Sequence, residues 1–128
     1  MTQTQIITAI YTKVSSTPHL PQKVYENVPT DASGEYLEIF LMPLPNLVQT
    51  FNGGELKSGL IQINVVVPTK TGIIRANEIV DMLLAAFKNG TNISEHLRVS
   101  RPSYASSGIT DDIRYIVPVT IQYKNLSA

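Results

Sequence analysis

The sequence predicts an α+β domain in which two helices pack on one face of a mostly antiparallel sheet of four to five strands. Two observations predict this class. Apolar residues alternate along several segments, as in strands with one buried face, and recur at three- and four-residue steps along two others, as in amphipathic helices. Helix, strands, helix and strands follow one another along the chain. A chain of 128 residues has the size of one domain, so we predict a single domain over residues 1–128.

The clearest pattern is a strand followed directly by a helix. Apolar residues occupy the odd positions from Ile61 to Val67, which predicts a strand over residues 59–67. Pro68 ends this strand because proline has no N–H for the hydrogen-bond ladder. The period then becomes helical over residues 73–87, with an apolar stripe formed by Ile73, Ala76, Val80, Leu83, Leu84 and Phe87.

The ends of this second helix also have sequence signals. Thr71 is a suitable N-cap, and Asn89-Gly90 supplies the left-handed residue that commonly follows a helix. Ile74, Ile79 and Met82 widen the apolar side beyond a simple stripe. We therefore expect this helix to be covered by its own sheet and by another subunit.

The remaining elements follow from the same two periods. The prediction is a helix at 3–15, strands at 36–42, 48–51, 97–100 and 113–123, a hairpin turn at 52–54, an extended connection at 22–35 and a mobile loop at 103–111. Pro118 lies within the last strand and argues for an edge strand or a bulge there.

The two faces of the predicted sheet differ in character. One face should pack against the helices through Leu37/Ile39/Leu41, Ile61/Ile63/Val65 and Tyr115/Val117/Val119. The opposite face mixes polar residues with Tyr36, Phe40, Met42, Leu60, Val66 and Ile116. Such a surface suggests contact with another chain. The alternative is the ordinary scatter of exposed apolar residues.

Composition excludes several classes of function. Lys+Arg and Asp+Glu number 10 each, so no global charge attracts nucleic acid or an acidic membrane. Cysteine is absent, which removes disulfides, thiolate catalysis and cysteine-based metal sites and fits a reducing compartment. We expect neither a signal peptide at the N-terminus nor a membrane span.

No motif predicts catalysis, a metal or a cofactor. His19 and His96 lie in different loops without further ligands at a useful spacing, and Asp111-Asp112 is better explained as a solvated turn. Serines 103, 106 and 107 lack the nucleophile-elbow pattern. An enzyme built at a subunit interface would have only Arg98, Asp112 and His96 as a cluster. The residues thus indicate a self-associating, non-enzymatic domain.

The order of residues resembles a family of small phage proteins. The resemblance rests on Glu26-Asn27-Val28-Pro29, Ser33-Gly34-Glu35-Tyr36-Leu37, Gly59, Gln62-Ile63-Asn64-Val65, Pro68, Gly72, Ala76 and Phe87. The resemblance covers roughly residues 1–125. Over this range the sequence is similar to the tail terminator or tail-completion proteins of tailed phages. The resemblance implies a ring of this chain, probably a hexamer, located at the neck end of the virion tail after assembly in the host cytoplasm. It implies the tail tube protein and a head-completion or connector protein as partners, with no membrane, no sequence-specific nucleic acid and no cofactor.

Two groups of residues are assigned roles on this basis. Subunit contacts are expected from Tyr36, Phe40, Met42, Leu60, Val66, Ile79, Met82 and Ile116. Contacts with the tube or the connector are expected from Asn52, Gly53, Gly54, Arg101, Tyr104, Asp111 and Asp112. A head-closure or other neck protein of the same virion is the alternative, because it would also be a small ring-forming protein.

Overall fold

Two helices and eight strands make up the described part of the chain. The computed structural model describes residues 3–18, 20–25, 34–43, 58–69, 73–110 and 114–125. The elements are α1 (Gln3–Ser16), β1 (Gln22–Tyr25), β2 (Tyr36–Pro43), β3 (Ser58–Pro68), α2 (Ile73–Ala86), β4 (Asn92–Ser94), β5 (Leu97–Val99), β6 (Tyr104–Ala105), β7 (Ile109–Thr110) and β8 (Arg114–Asn125). The predicted strand at 48–51, its turn at 52–54 and the N-cap Thr71 lie outside these residues.

All eight strands join one sheet, in the order β1-β2-β3-β8-β5-β4, with β6 and β7 also paired to β8. The β1–β2 pair is parallel and the other pairs are antiparallel. The predicted α+β class with a mostly antiparallel sheet is therefore confirmed. The predicted number of four to five strands is wrong, since β1, β4, β6 and β7 are added to the four main strands.

The centre of the sheet is the long pair β3–β8. Eleven residues of β3 pair with eleven of β8 without a register shift, from Ser58↔Lys124 to Pro68↔Arg114. Side chains at directly paired positions lie on the same face of a sheet. Every odd-numbered residue of β2, β3 and β8 therefore points to one face and every even-numbered residue to the other.

The odd-numbered face is the buried one. One hydrophobic cluster joins its residues to buried residues of both helices, among them Ile6, Ile10 and Val14 of α1 and Ala76, Ile79, Val80 and Leu83 of α2. On the strands the cluster contains Leu37, Ile39, Ile61, Ile63, Val65, Val67, Val117, Val119, Ile121 and Tyr123, with Leu41 and Tyr115 packed against it. The strand residues predicted for the core all belong to the cluster or pack against it.

The segment predicted as a mobile loop is instead paired along β8. Strands β5, β6 and β7 follow one another along the same edge of β8. Between them, the N–H of Ser100 donates to the carbonyl oxygen of Gln122 and the N–H of Ser106 to that of Pro118, both at 2.9 Å. The prediction of a loop was wrong because it relied on the Ser- and Gly-rich composition of this segment. The pairing is determined instead by the neighbouring strand β8.

Pro118 does not lie on an edge strand, because β8 is flanked by β3 on one side and by β5, β6 and β7 on the other. Its carbonyl accepts from Ser106, so its ring nitrogen also faces the β6–β7 side. The register of that side shifts between Ala105↔Val119 and Ile109↔Ile116. The missing N–H of Pro118 thus coincides with an irregularity on the β6–β7 side, whereas β8 itself pairs with β3 without the predicted bulge.

The end of α2 is fixed by several hydrogen bonds. Gly90 has φ 87°, the left-handed conformation predicted for the residue after the helix. Its N–H donates to the carbonyl of Val99 at 2.8 Å, and the Ser103 hydroxyl donates to the carbonyl of Phe87 at 2.7 Å. These bonds connect the helix end to β5 and to the residue just before β6.

Tyr123 is expected to make the fold less stable at alkaline pH. Its side chain is buried in the core, and burial raises the pKa of its phenol above the ordinary value of 10.0. The neutral phenol therefore contributes stability that is complete below about pH 10 and is lost as the pH rises through the folded-state pKa. We expect the free energy of unfolding, measured with urea, to fall as the pH rises above about 10, by up to about 1.4 kcal/mol per pH unit more than in Tyr123→Phe. Parallel curves for the two proteins would contradict this prediction.

Candidate assembly surface

The side of the sheet opposite the core is the candidate functional site, here called the outer face. It consists of the even-numbered residues of β2, β3 and β8 together with Tyr104 and Ile109. Tyr104 pairs directly with Thr120 and Ile109 with Ile116, so both side chains continue the outer face beyond β8.

Four rows of side chains cross the outer face. The register places them as Met42–Leu60–Gln122, Phe40–Gln62–Thr120–Tyr104, Glu38–Asn64–Pro118 and Tyr36–Val66–Ile116–Ile109. Apolar and aromatic groups thus occupy both ends of the face, and the row between them is polar. Within that polar region the Gln62 amide donates to the Asn64 side-chain oxygen at 2.9 Å.

Large apolar side chains remain accessible on this face. Met42 is 38% exposed, Tyr104 58% and Ile109 60%. Phe40, Leu60 and Ile116 are half-buried. Ile109 was missed from the sequence, because it lies in the segment read as a loop and only its pairing with Ile116 assigns it to this face.

Val66 is a correction to the predicted contact residues. It is fully buried within the chain, although its row lies on the outer face. The Arg114 guanidinium donates to the Tyr36 hydroxyl at 3.1 Å, which connects β8 to β2 across the intervening β3. Tyr36 is itself almost completely buried. The Tyr36 end of the outer face is therefore packed within the chain, and Val66 is not available to a second subunit.

The helix residues predicted for subunit contacts separate into two cases. Ile79 is fully buried in the core cluster, so this assignment is also corrected. Met82 is half-buried and lines an open groove of about 470 Å³ between the end of α1 and α2. The other lining residues are Lys13, Ser16, Thr17, Pro18, Ala85 and Ala86.

Of the residues predicted to face the tube or the connector, Arg101 and Tyr104 are exposed. Asn52, Gly53, Gly54, Asp111 and Asp112 lie outside the described residues. Tyr104 therefore belongs both to this predicted set and, by its pairing, to the outer face.

A metal-binding cluster of side chains is not found in the part of the chain that the structure describes. It contains no cluster of three or more His, Asp or Glu residues that could hold a metal ion. His96 lies 4.0 Å from Glu95 in an exposed turn, and Arg98 donates to Asn92 at 3.1 Å. Of the cluster nominated for an interface enzyme, Asp112 lies outside the described residues. Neither described helix is long and apolar enough to cross a membrane.

One ion pair connects the sheet to α2. The Arg75 guanidinium contacts Glu35, just before β2, at 2.5 Å and Glu78 at 3.3 Å. Its hydrogen bond to Glu35 is the main cause that raises the pKa of Arg75. Because these side chains are at least one-third exposed, the pair aligns the start of α2 with the sheet and contributes little to stability.

A comparison with protein families identifies the kind of protein. The model of the phage tail terminator protein family matches residues 5–123. This chain belongs to that family. Membership makes it a structural component of a phage tail. Among curated protein sequences, no relative matches significantly.

Solved structures support the fold of this family member. Seven chains of solved structures match significantly. One of them has a TM-score of 0.75 and 24% sequence identity, over 100% of this chain and 98% of the other. At this identity the similarity establishes the fold alone.

Proposed function

We propose that this tail terminator family member closes into a hexameric ring on the end of the growing tail tube. The ring ends polymerisation of the tube protein and presents a surface to the head-completion or connector protein. Its place is then the neck end of the virion tail, reached during assembly in the host cytoplasm.

The observation that supports this proposal best is the exposed apolar surface of the outer face, in a chain that belongs to this family. Tyr104, Ile109 and Met42 leave apolar and aromatic surface accessible on this face. Aromatic residues and methionine are enriched at interfaces between proteins. A ring requires heterologous contacts that close, and two further surfaces for the tube and the connector. The exposed residues Arg101 and Tyr104 supply candidates for those surfaces.

A non-enzymatic role is part of the proposal. The family is structural, and the candidate surface is an open sheet rather than a cleft lined by ionisable groups. Binding energy in such a protein depends on packing and desolvation of side chains at the interface. The described outer face provides side chains of this kind.

The test is the length of tails made without this protein. Deletion of its gene in the producing phage or prophage should give overlong tails by electron microscopy, and expression of the wild-type chain should restore one length. Normal tails beside filled heads that leak DNA would contradict termination and support head closure instead. Unchanged virions would exclude both roles.

A further inference from the structure

The strongly exposed apolar residues divide into two groups at different sites. Ile73 and Ile74, at the start of α2, are 58% and 73% exposed. Tyr104 and Ile109, on β6 and β7, are exposed to a similar degree. We call the first site the helix patch, with Glu78 and Asp81, and the second the edge patch, with Arg98, Arg101 and Lys124.

The two patches lie on opposite sides of the sheet. The helix patch belongs to α2, whose buried residues join the core on the odd-numbered face. The edge patch belongs to the outer face, because Tyr104 and Ile109 pair with the even-numbered residues Thr120 and Ile116. Two different surfaces that point in different directions suit a head-to-tail contact rather than a contact of one patch with itself.

The helix patch carries net negative charge. Glu35, Glu78 and Asp81 lie along this side, and Arg75 contacts the first two of them. Among these described residues, three carboxylates against one guanidinium leave two negative charges in excess. The next described cation is Lys13 of α1, which lines the groove with Met82 and Ala85, one turn beyond Asp81. Lys88 lies two turns beyond Asp81, or about 10 Å away.

The edge patch carries the opposite charge. Arg98 and Lys124 are direct cross-strand partners, both exposed, and Arg101 follows in the same segment. Among the residues that the structure describes here, three cations against Glu95, in the β4–β5 turn, leave two positive charges in excess. Glu38, the acid of the outer face, lies two strands from β8, about 10 Å away. Adjacent like charges are unfavourable within one chain, so a partner with carboxylates would relieve them.

The distance between apolar and charged groups is similar in the two patches. Seven helical residues separate Ile74 from Asp81, a distance of about 10 Å along α2. Four strand residues separate Thr120, opposite Tyr104, from Lys124, a distance of about 13 Å. An apolar contact at one end can therefore coincide with a contact between opposite charges at the other.

We propose that the helix patch of one copy of this chain packs on the edge patch of the next copy. The inference rests on the proposed ring and names the two surfaces that form its contact. The contact is heterologous, so each copy uses both patches and the chain of contacts can close.

The absence of cysteine makes crosslinking a direct test. The double variant Ile74→Cys/Tyr104→Cys, treated with a short bis-maleimide, should give a ladder of covalent dimers, trimers and larger rings on denaturing gels. Each single variant should remain monomeric, and an equal mixture of the two should stop at the heterodimer. Thr12→Cys/Tyr104→Cys, with its first cysteine on the exposed side of α1, is the matched control and should give no ladder.

Charge reversal provides the second test. In the double-cysteine background, Asp81→Lys alone and Lys124→Glu alone should each lower the crosslinked fraction at least tenfold. An equal mixture of these two proteins should restore it, because the lysine of one protein then meets the glutamate of the other.

The proposal would be overturned by a double-cysteine variant that crosslinks no more than the Thr12 control. It would also be overturned by Ile74→Cys alone giving dimers, which indicates a contact of the helix patch with itself. Crosslinking does not depend on tails, so a ladder with normal tail lengths in the gene deletion would contradict the proposed function and not this contact. Overlong tails without a ladder would contradict this contact alone.

Discussion

Replacement of Gly59 with alanine is expected to lower the free energy of unfolding by about 1–3 kcal/mol, because the added methyl group overpacks the core. A Cβ at this position would lie 2.4–2.8 Å from the hydroxyl oxygen and two ring carbons of Tyr123, its cross-strand partner. Tyr123 is completely enclosed in the core, so its ring cannot move aside without disturbing its neighbours. Urea denaturation at neutral pH, where the phenol is uncharged, measures the effect.

Gly108 is the matched control. A Cβ there would meet the ring of Tyr115 at 2.1–2.4 Å, the same kind of contact. Tyr115 is only half-buried, so the end of its side chain can rotate toward solvent, and we expect Gly108→Ala to cost less than about 1 kcal/mol. In Tyr123→Leu the further change Gly59→Ala should have little effect, since the ring is gone. Equal losses for the two glycines, or no coupling between Gly59 and Tyr123, would contradict this explanation.

The sequence predicted those helices and strands in which the spacing of apolar residues follows from the burial of one face. Strands β2, β3 and β8 alternate because one face packs on the helices, and α1 and α2 have stripes for the same reason. Their observed bounds lie within two residues of the predicted ones. Proline and glycine residues predicted where these elements end, as Pro68 does for β3 and Gly90 for α2.

The short strands could not be predicted in this way. β1 pairs in parallel with β2, and β6 and β7 pair with β8, so each is defined by its partner strand and not by a pattern of its own. Two-residue strands carry no period of their own, and serine and glycine between them are typical of turns. The pairing of β7 with β8 also places Ile109 on the outer face.

The candidate surface was predicted in part. Alternation correctly places Phe40, Met42, Leu60 and Ile116 opposite the core, but it cannot show which side chains are covered within the chain. Val66 is buried beside the Arg114–Tyr36 hydrogen bond, a contact between residues 78 positions apart. Ile79 is buried because α2 packs on the sheet over a broader face than the predicted stripe. Exposure thus depends on tertiary contacts that the period of a single element does not contain.

Phe40→Asp is expected to abolish tail termination while the domain remains folded. Phe40 lies on β2 of the outer face, at the end of a row opposite Tyr104, and it is only half-buried within the chain. A carboxylate there is solvated in the free subunit but would lose water in an interface without a cation beside it. We expect subunit association to weaken at least 100-fold, about 3 kcal/mol, and the variant to leave overlong tails when it replaces the wild type.

Two variants separate loss of the interface from loss of the fold. Phe40→Leu keeps an apolar side chain and should terminate tails normally. Thr12→Glu adds the same charge on the exposed side of α1 and should also leave termination intact, because that side chain is remote from the outer face. Circular dichroism and urea denaturation should show Phe40→Asp folded, since the residue is not enclosed by the core cluster. Tails of normal length with Phe40→Asp would exclude the outer face from assembly, whereas an unfolded variant would shift the test to Tyr104→Asp, whose side chain is more exposed.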